Sequence, residues 1–273
     1  MRVGISAGGG RLDEIIERCR RLGVDAVCLS ASTVEGYREK GYPNLEALRS
    51  IKDKLEKAGI DVPTISLGLW PSQEVLSGRV HSEDELQKLY MTLEVIGKAG
   101  IKTALIYPAL DRPMGRVMEE AYWRSIRRTY EVLLDAAERY HVKLANHAFY
   151  HPWKVVRNVE TLCRLLAEAP SPYNGVTYCH GLYLIGDNPY EAAVLFGDKI
   201  FLAHARNLRK LKHAPYFEEV FLDEGDIDIP KTIRLLKAVG YDGMIYPEHL
   251  GAVGAGEDLQ ARAVSYLRRL VGG

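Results

Sequence analysis

IGKAG-IKTALIY, residues 96–107, carries the pattern that decides the fold. A polar, amphipathic stretch ends at Gly100 and a short apolar run follows at once. Glycine after a helix relieves the left-handed cap position. A short run of Ile, Leu and Val has the composition of a strand buried on both faces. The same unit recurs as RCRRLG-VDAVCLS (18–30), LEKAG-IDVPTISL (55–67), AERYH-VKLANH (137–147), YNG-VTYC (173–179), LFGD-KIFLAH (195–204) and KAVG-YDGMIYP (237–247). With the opening RVGIS (2–6), eight strands are predicted.

The segments between them have helical periodicity. Apolar residues fall at i, i+3 and i+4 in stretches 16–22, 48–55, 86–99, 126–140, 159–169, 190–196 and 229–239. Ser82 with Glu85 has the form of a capping box, and Asp228 with Pro230 marks a helix start. Strand alternating with helix implies parallel pairing. Eight units in 273 residues give about 34 residues each, the usual allotment of a (β/α)8 TIM barrel. No linker or composition shift divides the chain, so residues 1–273 are expected to form one barrel domain. An open doubly wound sheet is the alternative. No GxGxxG follows the first strand, and Gly8-Gly9-Gly10 lacks the Lys-Ser/Thr of a phosphate loop.

Composition narrows the function. Apolar residues make up 47% and charged residues 26%, which excludes a disordered or collagen-like chain. Lys+Arg and Asp+Glu both number 36, a neutral balance that argues against a nucleic-acid partner. No apolar run reaches transmembrane length, and MRVGISAGGG has no signal-peptide pattern, so no membrane partner is expected. Cys19, Cys28, Cys163 and Cys179 show no CxxC pair. They read as reduced thiols of a cytoplasmic protein.

In a barrel of this kind the active site forms at the C-terminal ends of the strands. Strand five ends in Asn146-His147, strand six in Cys179-His180, strand seven in His204, and strand eight in Glu248-His249. One histidine at a strand end is usually a hydrogen-bonded core residue, and one cysteine is usually buried filler. Four successive ends carrying a potential ligand are a different matter. Neighbouring strands lie about 4.8 Å apart, so such side chains can converge on one ion. His147, Cys179, His204 and Glu248 form a set suited to Mn, Fe, Co or Zn rather than Mg or Ca. Arg206, two residues past His204, is placed either to grip a substrate carboxylate or to form a salt bridge. His249 is a candidate proton donor or acceptor. Tyr107, Asp111, Asn207 and His151 are candidate substrate contacts, as are the aromatic residues Trp70, Trp153 and Tyr183. Asp228, and Asp226 near it, are either catalytic or helix-capping. His81, His141 and His213 read as solvated.

These residues resemble the mannonate dehydratase family, within the xylose-isomerase-like barrels. The likeness runs from about residue 45 to 250. It is densest in VTYCHGLY (176–183), KIFLAHARN (199–207), and FEEVFLDEGDIDIPKTIRLLKAVGYDG (217–243) followed by YPEHLG (246–251). The resemblance places that family's metal ligands on His147, Cys179, His204 and Glu248. It implies Mn²⁺ or a similar ion and loss of water from D-mannonate or a related aldonic acid. The chain departs from the family in AFYHPW after His147, in LDRPMGR (110–116), in a glutamate rather than an aspartate at 248, and in length. All four changes fall on the substrate side. A metal-dependent sugar or sugar phosphate isomerase or epimerase, and a non-enzymatic sugar-binding barrel, are the alternatives. The expected partner is a sugar acid or sugar, and a homo-oligomer is compatible with the sequence.

Overall fold

A computed structural model of the chain describes residues 1–80, 82–113, 115–213, 216–251 and 257–272. The first strand is broken in two: β1 (Arg2–Val3) and β2 (Ile5–Ser6) flank Gly4. A Cβ at Gly4 would stand 2.6 Å from the Met244 sulfur and 2.7 Å from the Ala26 carbonyl oxygen. Only glycine lets its neighbours approach this closely. The remaining barrel strands are β3 (Ala26–Ser30), β4 (Asp61–Gly68), β5 (Thr103–Ile106), β6 (Lys143–Asn146), β7 (Asn174–Cys179), β8 (Ile200–Ala205) and, after a hairpin of β9 (Asn207–Lys210) and β10 (Phe217–Val220), β11 (Met244–Pro247).

The sheet order is β1-β11-β8-β7-β6-β5-β4-β3-β2, and every pairing in it is parallel. Because β1 and β2 are halves of one strand, the order closes on itself as an eight-stranded TIM barrel. Ala26, Cys28, Leu105, Ala145, Phe201 and Met244 belong to a small inner cluster that packs within it. Burial in this cluster pushes the Cys28 thiol up to about 12.

The helices are α1 (Leu12–Leu22), α2 (Tyr37–Lys40), α3 (Leu45–Lys57), α4 (Gln73–Ser77), α5 (Glu83–Lys98), α6 (Arg116–Tyr140), α7 (Val159–Glu168), α8 (His180–Gly186), α9 (Pro189–Phe196), α10 (Ile229–Ala238) and α11 (Glu257–Gly272). Their apolar faces join the outer core with Leu48, Leu93, Trp123, Leu133, Leu165 and Ile233. Local chemistry fixes their starts. Ser82, Asn158 and Asp228 each accept a hydrogen bond from a backbone N–H of the first turn. Sequence periodicity located seven of these helices. It missed the short α2, α4 and α8 and the C-terminal α11. A one- or two-turn helix is too short to show a 3.6-residue repeat. None of the helices in the described residues is long and apolar enough to cross a membrane.

Candidate metal centre

Strand register assembles the centre. Cys179, the last residue of β7, is paired in register with His204 on β8, and His204 with Tyr246 on β11. Side chains alternate across a strand, so Glu248, two residues past Tyr246, returns to the same side. The His147 amide continues the β6 ladder by donating to the Ile106 carbonyl, as the Glu248 amide donates to Ala205. Beneath His147 lies a buried polar clip. The Tyr130 hydroxyl donates to Asn146 Oδ1 at 2.6 Å, and Asn146 Nδ2 donates to Asn174 Oδ1 at 2.8 Å and the Gly175 carbonyl at 2.6 Å.

One donor atom from each of His147, Cys179, His204 and Glu248 lies within 4.8 Å of the others. The expected quartet therefore meets at one point. Three of its imidazole nitrogens lack partners. His147 Nδ1 bonds the Ala148 carbonyl at 2.7 Å, which leaves Nε2 buried without a partner. Both ring nitrogens of His204 are buried and unpartnered. The His204 Nδ1–Glu248 Oε2 distance is 3.2 Å, but the pair is not aligned as a hydrogen bond. Cys179 Sγ stands 4.0 Å from the same carboxylate oxygen. Buried polar atoms are ordinarily satisfied. Two imidazoles with unpartnered nitrogens, facing a thiol and a carboxylate, fit a transition metal, which would be held by the free His147 Nε2, one His204 nitrogen, the Cys179 sulfur and Glu248.

The electrostatics are those of a cation site. Burial drives His147 down to about 3, helped by the His204 ring, so its imidazole is neutral and its lone pair available. Burial disfavours charge on His204 too, but Glu248 and Cys179 outweigh it and raise the ring to about 9. Burial would raise the Glu248 carboxyl, yet His204 beside it holds the group well below the usual carboxylate range. The anionic side of the quartet attracts positive charge to this point.

The other expected residues divide. The Tyr107 ring lies 4.6 Å from that of His147 and forms part of the wall. Arg206 is buried, and its Nε donates to Glu219 Oε2 at 3.0 Å while its Nη2 donates to Oε1. Half of its fork is thus already occupied. His249, beside Glu248, is half exposed, with Nδ1 3.8 Å from Glu219 Oε1. Its backbone is left-handed at φ 49, a conformation uncommon outside glycine and enriched in Asn, Asp and His.

Three of the residues expected to contact substrate already have partners within the protein. Asn207 is fully buried; its Nδ2 donates to the Leu222 and Ile227 carbonyls, and its Oδ1 accepts from the Leu208 and Ile227 amides. All its polar capacity goes into tying the β9–β10 hairpin to the next segment. Asp111 pairs with Lys154 at 2.6 Å, joining the loops after β5 and β6. His151 turns outward and stacks flat on the exposed Trp153, 4.7 Å away. Trp70 and Tyr183 are buried, and Tyr183 donates to the Thr177 carbonyl. Asp228 caps α10, and Asp226 accepts from the Lys210 amide. His180, adjacent to Cys179, packs edge-on against Tyr178. His141 bonds the Tyr173 hydroxyl, and His213 is exposed. His81 lies outside the described residues. Glu219 was missed altogether, because no periodicity or motif marks a glutamate in a hairpin.

The chain belongs to the xylose isomerase-like TIM barrel family, whose model matches residues 16–270. Within that family its sequence is similar to mannonate dehydratases. That of Oceanobacillus iheyensis is 28% identical over 171 residues, covering 57% of this chain and 49% of the relative. That of Thermotoga maritima is 31% identical over 179 residues, covering 61% and 44%. The matched stretch thus spans about half the length of these relatives. Among solved structures, mannonate dehydratase from Streptococcus suis superposes with a TM-score of 0.81 at 18% identity, covering 99% of this chain and 92% of that one. An IolI protein with a bound zinc atom gives 0.74 at 18% identity, covering 100% and 98%. A D-psicose 3-epimerase crystallised with D-fructose gives 0.77 at 15% identity, covering 100% of both.

Proposed function

We propose that the protein is a metal-dependent hydro-lyase that removes water from an aldonic acid, D-mannonate or a close relative, giving a 2-keto-3-deoxy acid. The observation that carries this reading is the convergence of His147, Cys179, His204 and Glu248 at four strand ends, with three of the imidazole nitrogens buried and unpartnered. The sequence similarity to mannonate dehydratases supports the reaction class. Mn²⁺ is the proposed ion, with Fe, Co or Zn as substitutes; zinc is the metal in the IolI structure.

A divalent ion held by these four residues would supply Lewis acidity, which would ease loss of the proton next to a carboxylate. The protein does the rest. Arg206 keeps Nη1 free of hydrogen bonds among the described residues, and that edge of the guanidinium is suited to the substrate carboxylate. His249 is accessible and stands next to the Glu248 ligand, where an imidazole can exchange a proton with the substrate. The balance is simple: one proton leaves C2, the C3 hydroxyl leaves with a proton, and the enol product tautomerises to the ketone. Tyr107 and the linked loops after β5 and β6 wall the cleft.

A second reading is an epimerase or isomerase acting on a neutral sugar. The pairing of Arg206 with Glu219 favours it, since part of the arginine's charge is already balanced. Assaying aldonates and ketoses with Mn²⁺ separates the two. Keto-acid formation supports the lyase, whereas epimerised or isomerised sugar without keto acid replaces it with the second reading.

A further inference from the structure

The β9–β10 hairpin reaches into the site through one residue. In its register Glu219 is opposite Leu208, and Glu218 opposite Arg209. Side chains two apart share a face, so Arg206 is on the Leu208 side and meets Glu219. The opposite face carries the separate Arg209–Glu218 pair at 2.7 Å. Glu219 takes Nε and Nη2 of Arg206 together, and the same Oε1 that meets Nη2 lies 3.8 Å from His249 Nδ1. Room for this path exists because residue 181 is glycine: a Cβ there would stand 2.8 Å from Arg206 Cγ.

We propose that Glu219 is a positioning residue. It holds the Arg206 fork side-on, so that Nη1 is the edge presented to an anionic substrate, and it sets the His249 ring beside it. The role rests on the aldonate reading for its substrate but not for its geometry. The hairpin has other ties besides this pair. Asn207 ties it to the following segment with three hydrogen bonds, to Leu222 and Ile227, and Asp226 holds Lys210. A side-on, two-point clasp fixes a guanidinium plane, which a single contact does not. Burying a charge is costly unless it is partnered, so a buried arginine placed beside a metal centre needs such a clasp to keep one orientation.

The test uses the full-length, manganese-loaded protein with Glu219→Ala and Glu219→Gln, and calorimetric titration with D-mannonate and with neutral D-mannitol. In Glu219→Ala the affinity for D-mannonate is expected to fall at least tenfold, with manganese content and the affinity for mannitol unchanged. Glu219→Gln, which still accepts one of the two hydrogen bonds, should recover part of the loss. Tighter binding of D-mannonate in Glu219→Ala would show that Glu219 merely neutralises Arg206, and unchanged binding would show that it does nothing there; either overturns the proposal. Wild-type protein that turns over ketoses only would sink the aldonate reading alone. Glu219 is then judged on two readouts: the Arg206 Nε–H resonance in nitrogen-15 spectra of zinc-loaded protein, where no paramagnetic ion broadens it, and the kcat for the ketose. Loss of the resonance with a tenfold drop in kcat in Glu219→Ala upholds the role, and survival of both overturns it.

Discussion

Asn146→Leu should cost far more stability than its size suggests. The substitution nearly conserves volume but removes the centre of the polar clip under His147. It leaves the Tyr130 hydroxyl, Asn174 Oδ1 and the Gly175 carbonyl without the bonds they make to Asn146. Asn146 and Tyr130 are both fully buried, so water cannot readily replace the lost partner. Each orphaned buried group costs about 1–3 kcal/mol, which puts the total at about 3–6 kcal/mol after some relaxation. Unfolding entropy of about 2.1 cal/mol/K per residue implies that a chain of this length loses about 2 °C per kcal/mol. The melting temperature should therefore fall by about 6–12 °C. Tyr130→Phe orphans only Asn146 Oδ1 and should lower it by about 2–5 °C. The double variant removes both partners of that bond, so its loss should be smaller than the sum of the two. Calorimetric melts of metal-stripped protein measure all three. An Asn146→Leu shift no larger than that of Tyr130→Phe, or a strictly additive double variant, would refute the idea that this clip acts as a connected unit.

Cys179→Ser replaces a sulfur donor with a hydroxyl, a much poorer ligand for a transition ion, and elemental analysis should show manganese falling from about one ion per chain to a small fraction, while the melt of stripped protein changes little. For pH, the sign follows from the folded-state values: His204 is raised to about 9, so its contribution in stripped protein is complete below the ordinary histidine value of 6.5 and is lost as pH rises through about 9. His147 and His180 are lowered to about 3, so theirs is present above 6.5 and lost as pH falls below it. Urea midpoints should therefore peak near pH 6.5–7, and a flat profile from pH 7 to 9 would contradict the His204 assignment. Because an ion must displace the His204 proton, manganese affinity should rise with pH up to about 9, with release of at least one proton seen by titration in buffers of different ionisation enthalpy. Asp228→Ala removes the α10 cap and should cost about 1 kcal/mol, measured by denaturant unfolding, without altering manganese content.

The strand–helix alternation, the four strand ends carrying His, Cys, His and Glu, and the Asp228 cap were all legible in the residue order. Each of these is a local signal: a glycine after an amphipathic run, an apolar stretch bounded by it, a short polar side chain before a first turn. That His147, Cys179, His204 and Glu248 occupy corresponding ends of successive strands followed from the barrel expectation, and barrel closure brought their donor atoms within 4.8 Å. The protein partners of Asn207, Asp111 and His151 were not legible. Polar residues near a strand end look alike in sequence whether they face a ligand, a backbone carbonyl or solvent. Only the fold showed Asn207 saturated by backbone, Asp111 paired with Lys154, and His151 stacked on Trp153. Glu219 is the clearest case. It meets Arg206 through the register of a short antiparallel hairpin after β8, a pairing set by backbone hydrogen bonds that leave no periodic mark between residues 206 and 219. Sequence determined which strands end in His, Cys or Glu, because that depends on neighbours along the chain; tertiary structure decided which side chains are already spoken for, because that depends on neighbours in space.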